Sequence, residues 1–205
     1  MNESQILEDI ENVIADQWQR LANAGTWFNG EQRVAIATIV RQAQAGQAVK
    51  AEALSDVMVE AAAKIAIDAH SIDEEWVTGV YDRGLQPLQL VELTAIVAQL
   101  STIDTYTLGI GDALRELPVP LPGDPAKQEV KGAKLTRGWY PTRGVAGAPN
   151  CFSAVAAENK AMFDIHEAMY LSMEEMADVS ILKTLHRSQI ELLAGRTSRY
   201  NDCFY

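Results

Sequence analysis

A carboxylate and a thiol near the end of the sequence are spaced in a way that suggests shared chemistry. Glu191 lies in the segment SQIELLAGRTSRYNDCFY, residues 188–205, and Cys203 follows it twelve positions later. A cysteine thiolate is a nucleophile that peroxides oxidise, and a carboxylate can accept or relay a proton. We therefore take Glu191 and Cys203 as the candidate catalytic residues.

The spacing of these two residues limits how they can cooperate. On one straight helix, which rises about 1.5 Å per residue, they would lie roughly 18 Å apart. The chain must therefore reverse near the polar pair Asn201-Asp202 if they are to act together. Either polar residue could cap a returning helix with Cys203 in its first turn, where the positive helix end lowers the pKa of a thiol.

An internal repeat places this segment in a larger pattern. Residues 91–106 and 190–205 align without gaps, so that Glu92 matches Glu191 and Asp104 stands opposite Cys203. After Asp104 the sequence TYTLGIGDALREL predicts a second helix that packs back on the first as a helical hairpin. Glu92 and Asp104 are candidates for a degenerate second site, and a scaffold role is the favoured interpretation.

The run ELLAGRTSRYNDCFY, from Glu191 to Tyr205, resembles the AhpD-like alkylhydroperoxidase or carboxymuconolactone decarboxylase superfamily, in particular its two-part peroxidase-related members. The segments GDALRELPVPLPGDP (111–125) and HEAMYL (166–171) share the likeness. The resemblance implies an AhpD-like fold of repeated helical hairpins. It also implies a peroxidase in which Glu191 and Cys203 act with a second redox residue at position 206 and a histidine four positions later.

Position 206 lies beyond the last residue of the sequence. The likeness therefore implies a chain that continues, with cysteine or selenocysteine at 206, because a selenocysteine codon can also be read as a stop. It further implies a homo-oligomer, a small-molecule hydroperoxide as substrate and an unidentified thiol reductant. We expect the 205-residue form to be a weak peroxidase, since a carboxylate at Tyr205 would raise the pKa of the Cys203 thiol.

Two other functions and two other residue roles stay open. A lyase of the same superfamily that acts on a lactone would need cationic groups such as Arg196 or Arg199 facing a pocket, and a non-catalytic helical scaffold would need no thiol. Ser188 and Glu191 match the S-x-x-E capping box, which gives Glu191 a structural interpretation. Cys151 is interpreted as an ordinary cysteine near a helix start.

The composition of the chain limits the binding partners and the cellular compartment that we expect. The formal net charge of −11 disfavours nucleic acid and anionic membranes. No apolar run approaches the roughly 20 residues of a membrane span, and the acidic N-terminus does not resemble a secretory signal. With two cysteines, a reducing cytoplasm is expected. His70, His166 and His186 lack metal-ligand spacing, so neither a metal nor a cofactor is predicted.

Helical periodicity through most of the sequence predicts an all-α protein in three parts, 1–114, 115–150 and 151–205. The middle part holds six of the seven prolines, which predicts an extended connector that Trp139 and Tyr140 hold against the body. Helix starts are predicted at four local signals: Asn29, Ser55, the S-x-x-E pair Ser71 and Glu74, and Pro87.

Overall fold

The computed structural model describes residues 3–145, 147 and 150–202, and within them the protein is all-α. No helix in these residues is both long enough and apolar enough to cross a membrane. The helices are α1 (Glu3–Ala22), α2 (Gly30–Gln44), α3 (Asp56–Ile67), α4 (Glu74–Asp82), α5 (Pro87–Gly109), α6 (Ala156–Met169), α7 (Met173–Ala177) and α8 (Arg187–Tyr200). A short antiparallel pair, β1 (Ala133–Lys134) and β2 (Thr142–Arg143), departs from the expectation of a strand-free chain.

The chain divides into two compact units, one formed by Met1–Val13 with Phe163–Tyr205 and the other by Ile14–Met162. The larger unit contains the main hydrophobic core. There α5 packs with α2 and α3 and buries twelve of its residues. The largest fully buried apolar side chains of this core are Phe28, Ile36, Ile39, Leu85 and Leu93.

Three of the four predicted helix starts agree with the structure, and one of them has the side-chain cap that its sequence signal predicts. The Asn29 side chain accepts the backbone N–H of Gln32, and Gln32 returns the contact, which completes a capping box for α2. Ser55 precedes α3 as its N-cap, but its side chain makes no capping hydrogen bond. Pro87 is the first residue of α5, where its missing N–H costs nothing.

The predicted capping box of Ser71 and Glu74 is wrong. Asp73 is the N-cap of α4, and its carboxylate accepts the backbone N–H of Trp76 at 2.8 Å. Ser71 lies instead in a 3-10 turn, Ala69–Ser71, where its hydroxyl donates to the carbonyl of Asp68. An aspartate directly before the helix satisfies the free N–H groups, so the serine further upstream is not needed.

The helical hairpin predicted around Asp104 is also wrong. Helix α5 continues through Asp104 to Gly109, and the residues from 112 to 130 contain no helix. Asp104 lies inside the helix, and its carboxylate pairs with Arg41 of α2. Gly111 then adopts a φ of +88°, and the prolines that follow it exclude helix from the connector.

The described residues of the connector, 115–145, 147 and 150, contain no α-helix and belong to the larger unit. The connector's backbone N–H groups at Leu121, Ala126 and Lys127 donate to three carbonyls of the segment that follows α1, at distances of 2.8, 3.0 and 2.7 Å. Those acceptors are Ala22, Gly25 and Thr26. These bonds fix the segment between α1 and α2, from which the site described below draws a backbone donor.

Of the two aromatic residues expected to hold the connector, Tyr140 packs through its ring, whereas Trp139 is held through its backbone carbonyl. The Tyr81 hydroxyl donates to the carbonyl of Trp139 at 2.8 Å. Tyr140 packs on a small apolar cluster that includes Val91 and Phe152. Burial raises the pKa of Tyr81 to about 12 and raises that of Tyr140 as well, so both phenols stay protonated at neutral pH.

Candidate functional site

Glu191 lies in the second turn of α8 and does not cap that helix. The N-cap is His186. Its ring Nδ1 accepts the backbone N–H of Ser188, and its backbone N–H donates to the side-chain oxygen of Gln189. The capping interpretation of Ser188 with Glu191 is therefore wrong. The histidine occupies the cap two residues earlier, and the Glu191 carboxylate is left available for other contacts.

The Glu191 carboxylate is accessible and has two donors. Its Oε1 accepts the Tyr170 hydroxyl at 2.9 Å and Arg187 Nε at 2.7 Å. About half of the side chain, 48%, is exposed to solvent. Burial, followed by the hydrogen bond and charge of Glu191, raises the pKa of Tyr170, so the phenol remains a donor. Glu191 is therefore a solvent-facing carboxylate with a fixed orientation.

Helix α8 ends three residues before Cys203. Tyr200 is its last residue, Asn201 is the C-cap, and Asp202 has a φ of +50°, in the left-handed region where helices commonly stop. The helix therefore ends at the polar pair Asn201-Asp202, near which a reversal of the chain is predicted. Cys203 itself lies outside the described residues, so the pair Glu191–Cys203 remains a prediction.

The other cysteine has a different environment. Cys151 is partly buried beside Phe152, and its sulfur lies 3.8 Å from the sulfur of Met162. Burial raises the pKa of the Cys151 thiol above its usual value. A protonated, apolar thiol is a poor nucleophile. This environment supports the interpretation of Cys151 as an ordinary cysteine.

Arg196 and Arg199, the cationic groups required by the lyase alternative, are both exposed on α8. Exposure to water weakens the interaction of such groups with an anionic substrate. A polar lactone site needs cations that converge on a concave surface. The positions of these two arginines therefore give the lyase no specific support.

The repeat partner of Glu191 has the opposite environment. Glu92, on α5, is completely buried, and its Oε2 accepts the backbone N–H of Trp27 at 2.6 Å. Its Oε1 forms a very short ion pair with Arg33 of α2. Gly25 makes room for this pair, because a Cβ there would overlap both Glu92 Oε1 and Arg33 Nη1.

A second buried carboxylate shares the same arginine. Glu158 of α6 is fully buried, and its Oε1 accepts Arg33 Nη1 at 2.9 Å and Arg20 Nη2 at 3.0 Å. Its Oε2 accepts Gln99 Nε2 at 3.1 Å. We call these five residues, Arg20, Arg33, Glu92, Gln99 and Glu158, the charge network.

The charge network shifts the pKa values of its two carboxylates in opposite directions. Burial raises the pKa of Glu92, and the negative charge of Glu158 adds to the rise. Burial alone would also raise the pKa of Glu158, but Arg33 and Arg20 outweigh it and hold that pKa below its ordinary value. For Arg33, the two glutamates outweigh burial, so its pKa is raised and it stays charged.

Asp104, which aligns with Cys203, is engaged in a second ion pair. Both of its carboxylate oxygens accept from Arg41, at 2.7 and 2.8 Å, and the same guanidinium donates to the carbonyl of Arg115 at 2.6 Å. Arg41 also lies over the ring of Trp18, 5.8 Å from its centroid. Asp104 therefore joins α5, α2 and the connector.

These contacts favour a structural role for the middle copy of the repeat. Both Glu92 and Asp104 are committed to arginines, which leaves neither carboxylate free for a substrate. Within the residues that the structure describes, no group of three or more His, Cys, Asp or Glu side chains could hold a metal ion. The accessible carboxylate at Glu191 is consequently the stronger candidate for chemistry.

The sequence analysis missed Arg33 and Glu158. A usable signal was present, because Arg33 is the single charge of the apolar segment RVAIATIV and Glu158 follows the apolar run AVAA. A charged residue on the buried face of a helix requires a partner of opposite charge. The sequence does not show which partner is chosen, since the two residues are 125 positions apart.

Comparison with known proteins does not assign the chain to a family. No protein-family model, no curated protein and no solved structure matches this chain. The function is therefore inferred from the residues and their geometry.

Proposed function

We propose that this protein is a thiol- or selenol-dependent peroxidase with an AhpD-like redox motif that begins at Glu191 and Cys203. The observation that supports the proposal is the end of α8. The helix stops at Tyr200 and Asp202 takes a left-handed conformation directly before Cys203, while Glu191 remains accessible on the same helix. On one straight helix a carboxylate and a thiol twelve residues apart would lie roughly 18 Å apart, so a helix that ends before Cys203 is what their cooperation requires.

In the first step the Cys203 thiolate attacks the outer oxygen of a hydroperoxide ROOH. An S–O bond forms, the O–O bond breaks, and the alkoxide leaves as the alcohol ROH after it takes up a proton. The cysteine becomes a sulfenic acid, so sulfur is oxidised by two electrons and the peroxide is reduced by two.

In the second step a thiol or selenol attacks the sulfenic sulfur and releases water, which gives a disulfide or a selenenylsulfide. We assign this attacking group to position 206. An external dithiol then restores the reduced pair by exchange and becomes a disulfide itself. Glu191 serves as the fixed carboxylate that positions and relays protons through the returning segment, because Tyr170 and Arg187 hold its orientation.

The two cysteines allow a direct test of the first step. The 205-residue protein is exposed to tert-butyl hydroperoxide, its sulfenic acid is trapped with dimedone, and the labelled residue is identified by peptide mass spectrometry. We expect Cys203 to be labelled at least about ten times faster than Cys151, because burial raises the pKa of the Cys151 thiol.

Matched variants complete this test. Cys203→Ser should remove the fast labelling, while Cys151→Ser should leave it unchanged. Equal labelling of both cysteines, or labelling confined to Cys151, would contradict the assignment of Cys203 as the nucleophile.

The second step is tested separately at the level of the gene. We expect an open reading frame beyond codon 205 with a cysteine or selenocysteine codon at 206 and a histidine codon four positions later. The protein that contains these residues should reduce hydroperoxides catalytically with a dithiol, whereas the 205-residue form should react without sustained turnover. Sustained turnover by the shorter form would show that position 206 is not the resolving group.

A further inference from the structure

A small, partly open cavity borders the charge network, and Arg33 and Gln99 of that network line it. Residues of α1, α2 and α5 line it, and all of them belong to the larger unit. Its walls are mostly apolar, but three polar residues reach it. The lining residues are Gln17, Trp18, Leu21, Arg33, Ile96, Gln99, Leu100 and Ile103.

Two polar atoms of this lining are buried and have no hydrogen-bond partner among the described residues. They are Arg33 Nε, which carries a hydrogen and can only donate, and Gln17 Oε1, which can only accept. Both residues are more than nine-tenths buried, with 2% and 5% of their surface exposed. The same cavity is therefore lined by two residues that each carry one buried polar atom, a donor on Arg33 and an acceptor on Gln17, without a partner among the described residues.

The volume of the cavity limits the size of the molecule that can bind in it. Its volume is about 20 Å³. A water molecule requires at least about 10–15 Å³ and two to four polar partners, whereas pockets for drug-sized molecules begin near 300 Å³. The cavity therefore fits one molecule with a single heavy atom that accepts from Arg33 and donates to Gln17.

We propose that this cavity is a binding site for one structural water molecule that bridges Arg33 Nε and Gln17 Oε1. The water is a sixth member of the charge network. It completes the hydrogen bonding of Arg33, whose Nη1 is already shared between Glu92 and Glu158. This site is independent of the chemistry proposed for Cys203.

The first measurement uses the unmodified protein. The Arg33 Nε–H proton is observed by NMR, and its cross-relaxation with water is recorded in paired NOE and ROE experiments. We expect a cross-peak from a water with a residence time longer than a nanosecond. Absence of that cross-peak, with xenon binding in the cavity, would show a dry apolar void and overturn the proposal.

A variant series then assigns the acceptor. Gln17→Met keeps the length of the side chain but removes the amide oxygen, so the Arg33–water cross-peak should be lost and Tm should fall by about 3–8 °C. Gln17→Glu keeps an acceptor and should retain the cross-peak. If Gln17→Met raised Tm, as expected where an unpaired amide is removed from a dry core, the proposal would fail.

The chain also provides a matched control. Gln42 Oε1 on α2 is another buried amide oxygen without a partner among the described residues, but Gln42 does not line this cavity. Gln42→Met should therefore leave the Arg33–water cross-peak unchanged. Loss of the cross-peak in this control would show that it reports general loosening of the core and would count against a specific site.

Discussion

At the scale of single residues, the glutamate that the two copies of the repeat share is buried in one copy and exposed in the other. Glu92 is buried against Arg33, while Glu191 faces solvent and is held by Tyr170 and Arg187. The alignment identified both carboxylates but could not separate their roles. Burial depends on Arg33, which lies far away in the sequence.

The two carboxylates of the charge network should respond differently to a neutral substitution. At pH 7, Glu158→Gln should cost about 3–5 kcal/mol, because it leaves the charges of Arg33 and Arg20 poorly paired. Glu92→Gln should cost about 1–3 kcal/mol, because one of its two donors loses a good acceptor. Urea denaturation of both variants measures the difference, and a larger cost for Glu92→Gln would contradict it.

The cost of these substitutions should also change with pH in opposite directions. The raised pKa of Glu92 means that the wild-type protein loses stability as pH rises above about 4.5, so Glu92→Gln should cost less at pH 7 than at pH 5. The lowered pKa of Glu158 contributes stability above about 4.5 that is lost as pH falls, so the cost of Glu158→Gln should shrink below pH 4.5. Parallel trends would show that the two pKa directions are wrong.

Gly25 should tolerate no side chain. Gly25→Ala places a Cβ against Glu92 Oε1 and Arg33 Nη1 and should cost about 1–3 kcal/mol. Gly79 in α4 is the control, because a Cβ there meets no atom within 4 Å. Gly79→Ala should stabilise the protein by about 0.5–1 kcal/mol, since alanine favours helix. Equal effects in thermal unfolding would show that Gly25 is not required by close packing.

At the scale of elements, the sequence predicted helices well and their ends less well. Periodicity and proline content located the helices of the larger unit and the connector, because both depend on local chemistry. The helix break predicted near Asp104 was wrong, because α5 continues to Gly109 and the long-range ion pair between Asp104 and Arg41 cannot be read from local sequence. The cap of α8 was wrong because His186 competes with Ser188.

The connector offers a test of one element at a single residue. Lys127 has a φ of +50°, and its N–H donates to Thr26 at 2.7 Å. Lys127→Gly relieves the left-handed strain and should be neutral or stabilising by up to about 1 kcal/mol. Lys127→Pro removes the donor and cannot adopt this φ, so it should cost more than about 1 kcal/mol. Denaturant titrations measure the free energy of unfolding of both variants. Equal values would show that the connector is not anchored at Lys127.

At the scale of the whole molecule, the two compact units differ in how much they bury. Helix α5 buries twelve of its residues, whereas α8 buries none. We expect the amide protons of α5 to exchange at least about a hundred times more slowly than those of α8 in native-state hydrogen exchange. Similar protection of the two helices would show that α8 is covered in solution. The sequence alone predicts helix for both and gives no measure of this difference.

The charge network also has a consequence for folding during synthesis on the ribosome. Arg20 and Arg33 emerge early, but Glu158 is 138 and 125 residues further along the chain. The positive charges can enter the core with their full complement of carboxylates only after α6 has been synthesised. Closing such a distant contact is slow and costs chain entropy. The charge network should therefore form late, after the core of α2, α3 and α5 has been synthesised.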